Sequence, residues 1–494
     1  MIRDTFDLIV NQVDLRQNLS KLRQELKEGS SKHALLYYLS DKVDVLPSLL
    51  QHEDAKVRKN TVLVMGELGN PEYLEVIFAA YEKEIQLFVR SAYLTALKEF
   101  DYRAYLPRLK DQLNSLSEVV ITEENKKHMN EEMRALTDLI VTMEGIRKHK
   151  FIGYPVKSNL ILLTNRNHID VTSDQLKDTK ATATGFNAGV MVKTEDINEV
   201  LPIRTYHELL FVLDGMKTCK SDPIQAANAI FKAGIVKFIE DRHDGKAPYY
   251  FRVELKSKME LDKKSAFTKK FASELEQLSK RQLVNSTTNY EFEVRLIENK
   301  EGNLNILLKL YTLPDERFAY RKNSIATSIK PVNAALTVAL TKEYMKEDAQ
   351  VLDPFCGVGT MLIERHKQVK AYSTYGTDIL KDAIEKAREN TEEAHQIIHY
   401  INRDFFDFEH EYLFDEIITN MPAAIGHMKE EEIFELYRRF FMKVGKHLKE
   451  DGVIVLYSHS KEFVQKLSGK NGFQVVKEFE ISRKEGSYVY VITR

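Results

Sequence analysis

The last third of the chain places two glycines, three acids and an amide at spacings that allow them to act together. Ala349-Gln350-Val351-Leu352-Asp353-Pro354-Phe355-Cys356-Gly357-Val358-Gly359-Thr360 reads as a short apolar strand, a glycine turn and a helix start. Lacking Cβ atoms, Gly357 and Gly359 can take positive φ and bring backbone N–H groups close to a ligand. The helix starting at Thr360 adds unpaired donors and a partial positive charge, which suits an anionic group. A dinucleotide fingerprint would need a glycine where Leu362 stands, and a P-loop would need Gly-Lys-Ser/Thr, which is absent. Asp378 closes the next strand-like segment, 19 residues past Gly359, where an acid meets ribose hydroxyls in a nucleotide-binding βαβ unit. Asp404 follows a third segment and offers a carboxylate to an adenine amine, with the Phe405 ring beside it for the base. A fourth segment, Phe414-Asp415-Glu416-Ile417-Ile418-Thr419, ends at Asn420.

Asp353-Pro354-Phe355-Cys356-Gly357-Val358-Gly359-Thr360 resembles the first motif of class I S-adenosylmethionine-dependent methyltransferases, most closely those acting on exocyclic amines of nucleic-acid bases. The resemblance implies a Rossmann-like, seven-stranded α/β domain over residues 313–494, with S-adenosylmethionine as cofactor. It implies a cofactor site of Asp353, Phe355, Cys356, Gly357, Gly359, Thr360, Asp378, Ile379, Asp404, Phe405 and Asn420, and a catalytic run Asn420, Met421, Pro422. The family's signature is Asn/Asp-Pro-Pro-aromatic. Its Asn carbonyl and next backbone carbonyl hold the target amine, and its aromatic residue stacks the flipped base. Here the run is Asn420-Met421-Pro422-Ala423, which keeps the polar half and lacks the ring. Phe405, Phe406, Phe408 and His427 are the nearby rings that could replace it, although phenylalanines suit a core and a loop histidine suits solvent.

Methyl transfer is an in-line displacement, so the protein's work is to align donor and acceptor and exclude water. An exocyclic amine is a poor nucleophile because its lone pair is delocalised. The Asn420 side-chain carbonyl and the Met421 backbone carbonyl, accepting its hydrogens, would restore electron density at nitrogen. No metal is needed for this, and the two cysteines, Cys219 and Cys356, have no zinc-ligand spacing.

Ahead of this domain the chain changes character twice. From Asp14 to about Lys150 the apolar residues recur at helical spacing. Val57 and Val89, and Leu74 and Leu106, are related by the same 32-residue offset, so a helical hairpin repeats and residues 1–150 resemble HEAT repeats. Leu46 to Leu50 and Met129 to Ile146 are expected to cover the ends of the stack. An irregular helical bundle is the alternative. Such a region suits a protein or RNA partner, and Lys56-Val57-Arg58-Lys59 reads as a solvated helix start rather than a binding site. Basic residues Lys126, Lys127, Arg147, Lys148, His149 and Lys150 lead out of it, and Gly153-Tyr154-Pro155 breaks the helix.

Strand-like runs then alternate with helices: Leu160–Leu163, Gly189–Val192, Leu209–Leu213 and Tyr249–Leu255, with helices expected over Ala226–Lys237 and Ser265–Leu283. The second helix and its approach carry Lys256, Lys258, Lys263, Lys264, Lys269, Lys270, Lys280 and Arg281, either a solvated face or a surface for RNA phosphates. Strands Phe292–Leu296 and Leu304–Leu308 complete an α+β order over 157–312 that resembles a ferredoxin-like piece with a diverged THUMP domain, as in RNA methyltransferases. In the linker that follows, Arg317 and Arg321 are expected to brace it. After Asn420, helices Lys429–Leu448 and Lys461–Leu467 alternate with strand Val453–Tyr457, and the strands Phe473–Ile481 and Tyr488–Thr493 close the sheet as an antiparallel hairpin.

At 494 residues and a formal net charge of −2, the chain has length for about three domains and no global nucleic-acid signature, so any RNA surface is local. The acids near Met1, the lack of an apolar span of membrane length and the cysteine usage fit a soluble cytoplasmic protein. The expected function is methylation of a base amine in RNA, guanine N2 of tRNA foremost and rRNA second. Two alternatives stand beside it: an impaired methyltransferase-fold adaptor binding RNA or protein, and a DNA adenine-N6 or protein-glutamine methyltransferase.

Overall fold

The computed structural model describes residues 2–26, 31–119, 122, 124–144, 149–216, 218–423 and 429–494. It divides into two compact units, residues 1–148 and 149–494.

The first unit is helical throughout its described residues, from Ile2–Val10 to Lys126–Glu144. The repeat offset reappears as the helices Ala55–Leu68 and Leu87–Leu97, which pack on one another, with Tyr73–Lys83 and Leu106–Glu118 as their second members. The first helix of each repeat carries an arginine that neutralises a buried acid. Arg58 forks onto Glu84 at 2.8 Å and also holds the His52 and Glu53 carbonyls. Arg90 meets Glu132 at 2.8 Å, and Glu132 takes a second bond from the Tyr81 hydroxyl. Arg58 therefore ties the first helix of its repeat to the end of the second, rather than standing in a solvated helix start.

The second unit holds two sheets. The first, over residues 158–310, is mixed and nine-stranded among the described residues. Its strands include Ser158–Thr164, Gly189–Thr194, Tyr206–Val212, Tyr249–Lys256, Phe292–Glu298 and Asn303–Leu310. The hairpin strand Thr182–Phe186 and the helix Ile169–Leu176 are additions to the sequence reading. Two expected helices are corrected. Ala226–Lys237 is two helices, Pro223–Lys232 and Ile235–Glu240, because Gly234 takes φ of +81° between them. The basic helix runs Leu261–Leu278, and Leu283 belongs instead to the strand Leu283–Asn285. Arg317 is buried: it pairs with Asp315, donates to the Ile203 and Tyr206 carbonyls and lies over the Tyr206 ring, so it does brace the linker.

The second sheet orders its strands His399–Asn402, Ala371–Asp378, Ala349–Asp353, Phe414–Asn420, Leu448–Ser458, Ser487–Thr493, Gln474–Ser482. The first five run parallel, and Ser487–Thr493 is antiparallel to both its neighbours. Leu448, expected at the end of a helix, starts a strand, and the helix stops at Val444. The central strands are buried on both faces, with Val351, Leu352, Ile417, Ile418 and Ile454 to Leu456 in the core. Helix Thr360–Gln368 is fastened to this sheet by a buried ion pair, Arg365 to Glu416 at 2.7 Å, and Arg365 also donates to the Lys346 and Val369 carbonyls. Among the described residues no helix is long and apolar enough to cross a membrane.

Candidate active site

Asp353, Asp378 and Asn420 end three strands, Asp404 follows a fourth, and those four strands are consecutive neighbours in the sheet. All four side chains therefore stand at one carboxyl edge, where open α/β sheets bind ligands.

The glycine turn is held by its own backbone. Gly357 and Gly359 take φ of +52° and +81°, the Gly359 N–H donates to the Cys356 carbonyl at 2.8 Å, and the Cys356 N–H donates to the Thr377 carbonyl at 3.0 Å. A Cβ on Gly357 would meet only open space, so the face that the turn presents is clear. A Cβ on Gly359 would lie 2.1 Å from the Tyr400 hydroxyl, itself bonded to Thr391, so no side chain fits there. Cys356 is buried in the core, and burial pushes its thiol well up, so it packs rather than reacts.

Asp353 is fully buried, with one oxygen accepting from the Phe355 N–H at 3.0 Å, and desolvation raises its carboxyl to about 7. Asp378 accepts from the Gly357 N–H and from the Leu380 N–H, both at 2.9 Å, so it ties the end of its own strand to the neighbouring turn. Burial raises its pKa as well. Each of its oxygens keeps a second lone pair for ribose hydroxyls. Ile379 and Leu380, next along, are exposed apolar residues. Leu380 also lines a cleft of about 490 Å³ with Ile325, Ala326 and Ala383. The Thr360 hydroxyl is buried without a partner at the foot of the turn. Positive-φ glycines, an orphaned hydroxyl, raised carboxylates and an exposed apolar pair together fit a cationic, adenine-bearing cofactor.

Asp404 caps the short turn Phe405–Asp407 by accepting from the Phe406 N–H, leaving its other oxygen open. The Phe405 ring is a correction to the sequence reading. It is 1 % exposed, packed against Phe355, Phe440 and His447, so only its backbone faces the edge. Phe408 is likewise core.

On the acceptor side, Asn420 lies opposite Tyr457 on the neighbouring strand, and the Met421 N–H donates to the Tyr457 carbonyl at 2.9 Å. The Met421 side chain is buried, so this residue can offer a substrate only its backbone carbonyl. Asn420, Pro422 and Ala423 are half-buried. Ala423 lines a cleft of about 660 Å³ with Ile433, His459, Lys461, Phe463 and Tyr488. That size is right for a small-molecule or base-sized ligand. His427 lies outside the described residues. A second cleft of about 640 Å³ shares Glu485 with the first and reaches the other sheet through Asn165, Arg166 and His207. Burial, with Lys330 and Arg317 nearby, lowers the pKa of His207.

Two supports escaped the sequence reading. One is the Arg365–Glu416 pair. The other is Glu364 on the Thr360 helix, fully buried, which takes a forked Arg204 from the first sheet at 2.7 Å and the Tyr320 hydroxyl at 2.7 Å. No sequence signal links Arg204 to Glu364; a charged pair inside the apolar run after the glycine turn was the one available hint.

Residues 319–487 match the family model of the RMKL-like methyltransferase domain, and residues 43–123 match HEAT repeats. Among solved structures, the chain is similar to TrmN from Thermus thermophilus, at 19 % identity over 68 % of this chain and 99 % of that one, with a TM-score of 0.52. It is similar to SMU.472, a putative methyltransferase complexed with SAH, at 15 % identity over 68 % and 98 %, TM-score 0.52. A predicted N6-adenine-specific DNA methylase from Listeria monocytogenes matches at 18 % identity over 68 % and 96 %, TM-score 0.51. At these identities the structures speak for a shared fold.

Proposed function

We propose, from the match of residues 319–487 to the RMKL-like methyltransferase domain and of residues 43–123 to HEAT repeats, that the chain is a class I S-adenosylmethionine-dependent methyltransferase that methylates an exocyclic amine of a base in RNA. Guanine N2 of tRNA is the foremost acceptor and rRNA the second. The observation carrying this reading is the Asn420-Met421-Pro422 run, set at the same strand edge as the glycine turn and followed directly by Ala423, which lines a base-sized cleft.

The bound cofactor supplies an electrophilic methyl group on sulfur. Asp378 and the exposed Ile379 would hold its nucleoside end, Asp404 would accept from the adenine amine, and the glycine turn with Thr360 and Asp353 would hold its amino-acid end. The Asn420 side-chain carbonyl accepts one hydrogen of the target amine and the Met421 carbonyl the other, which holds nitrogen in line and keeps its lone pair from the ring. The backbone bond from Met421 to Tyr457 fixes that carbonyl without relying on the Met421 side chain.

RNA as the acceptor is supported by the second cleft. Arg166, Lys330, Arg483 and Lys484 line it, all exposed and with no carboxylate partner among the described residues, against Glu480 and Glu485. Fixed cations beside a base-sized pocket suit the phosphates flanking an extruded nucleotide. The α+β order of residues 157–312 and the basic helix Leu261–Leu278 support a THUMP-like RNA-binding role for the middle region. The HEAT repeats suit a protein partner.

The test is methyl incorporation from labelled S-adenosylmethionine into total tRNA and rRNA, followed by nucleoside mass spectrometry. The reading requires N2-methylguanosine above background with wild type and its loss in Asn420→Ala. No incorporation into any RNA by wild type would refute it. Ala423, which offers no ring, favours a second reading, an adaptor that binds RNA or protein without turnover. Tight calorimetric binding of S-adenosylmethionine with no transfer to any nucleic acid would favour that one. Transfer to DNA or protein but not RNA would favour the remaining alternative.

A further inference from the structure

An extruded base costs a few kcal/mol to unstack, and an aromatic face in the receiving pocket ordinarily offsets this. Position 423 has no such face. Three rings line the cleft beside it: Phe463, Tyr488 and His459. Phe463 is half-buried and committed to Phe434 and Tyr437, at 5.2 and 5.8 Å between ring centres. Tyr488 has the Lys461 ammonium 4.8 Å from its ring and gives its hydroxyl to Glu480 at 3.4 Å. His459 alone of the three is exposed.

Its position follows from strand register. Asn420 pairs with Tyr457, and His459 lies two residues further along that neighbouring strand, just past its end at Ser458. Past the strand's end the chain turns toward the helix Lys461–Lys470, and there His459 walls the cleft beside Ala423. The ring is fixed rather than free. Its Nδ1 lies 3.2 Å from the Glu485 carbonyl, which can only accept, so Nδ1 carries the proton. Edge-on contact with Tyr457, at 5.6 Å and 71°, sets its plane.

Resting on the base-methylation reading above, we propose that the His459 imidazole is the face on which the target base stacks, supplying from the neighbouring strand the ring that position 423 lacks. It is a positioning residue for the acceptor, and the cofactor half of the site does not depend on it.

The chain contains no tryptophan, so His459→Trp places a lone indole fluorophore in the cleft. His459→Ala, His459→Phe and His459→Trp are compared with wild type in methyl transfer to total tRNA, and each is checked for an unchanged unfolding midpoint and S-adenosylmethionine affinity. The expected result is a loss of roughly 5- to 150-fold in transfer for His459→Ala, the range of one base–aromatic stack. His459→Phe and His459→Trp recover most of it, and the indole emission is quenched by tRNA in the presence of S-adenosylhomocysteine. Transfer by His459→Ala at the wild-type rate, a Phe variant no better than Ala, or emission unmoved by saturating tRNA would overturn the proposal while leaving base methylation intact. Absence of transfer by wild type itself would overturn both.

Discussion

The two halves of the strand edge are built on different terms. The donor half, from Asp353 through Thr360 to Asp378, is made by backbone: two positive-φ glycines, N–H groups aimed at Asp378, and a helix start held by a buried ion pair. The acceptor half borrows side chains from separate elements, with Asn420 and Ala423 on one strand end, His459 on the next, Phe463 on a helix and Tyr488 on the closing hairpin. A backbone-built site is local and tightly specified. One assembled from several elements can lose a ring at one position and regain it at another.

The largest expected effect comes from the feature both halves share. Arg365→Met strands the Glu416 carboxylate in the core between the Thr360 helix and the Asn420 strand, and should cost about 3–5 kcal/mol in denaturant unfolding, lowering cofactor affinity and turnover together. If only one fell, the two halves would be mechanically independent. Gly359→Ala strikes the donor half alone. With the left-handed backbone and the Tyr400 hydroxyl in the way, we expect cofactor affinity to drop by roughly tenfold or more in calorimetry. Asn420→Ala is its mirror. Turnover should fall roughly 100- to 1000-fold, with S-adenosylmethionine affinity held within about twofold.

A pH series sharpens the same contrast. Burial raises the Asp353 carboxyl to about 7, above its unfolded value, so its contribution to the stability of the free protein is complete below the usual carboxylate range. That contribution is lost as the pH climbs to about 7. S-adenosylmethionine is a net cation and favours ionised Asp353. Its affinity should therefore rise with pH, by at most about tenfold per unit, and level off above 7, with proton release on binding in calorimetry. The unfolding midpoint of the free protein should move the opposite way. The smallest effect is expected from Ala423→Tyr, which adds a second face to the acceptor cleft. RNA binding should tighten by a few-fold in a filter assay, with no change in cofactor affinity.

Much of the donor half was legible because its chemistry lies within short stretches. Gly357 and Gly359 signalled a turn by residue type, and Asp378 followed at the distance that one helix and one strand require. The Phe405 ring misled, because a phenylalanine after a strand-end acid has the same letters whether its face meets ligand or core. The Ser265–Leu283 boundary misled because Leu283 extends a helical pattern while pairing as a strand with Tyr249. The pairing partner lies 34 residues away, outside any window of periodicity.

The amino-acid order alone determined most strands and helices of the last third of the chain, the glycine turn through positive φ at Gly357 and Gly359, and that an amide closes the fourth strand, since local sterics and apolar spacing decide these. The tertiary structure alone decided that Arg365 finds Glu416, that Arg204 of one sheet reaches Glu364 of the other, and that an exposed His459 stands beside Ala423. Such contacts depend on strand order and register, which are set by the packing of the whole core.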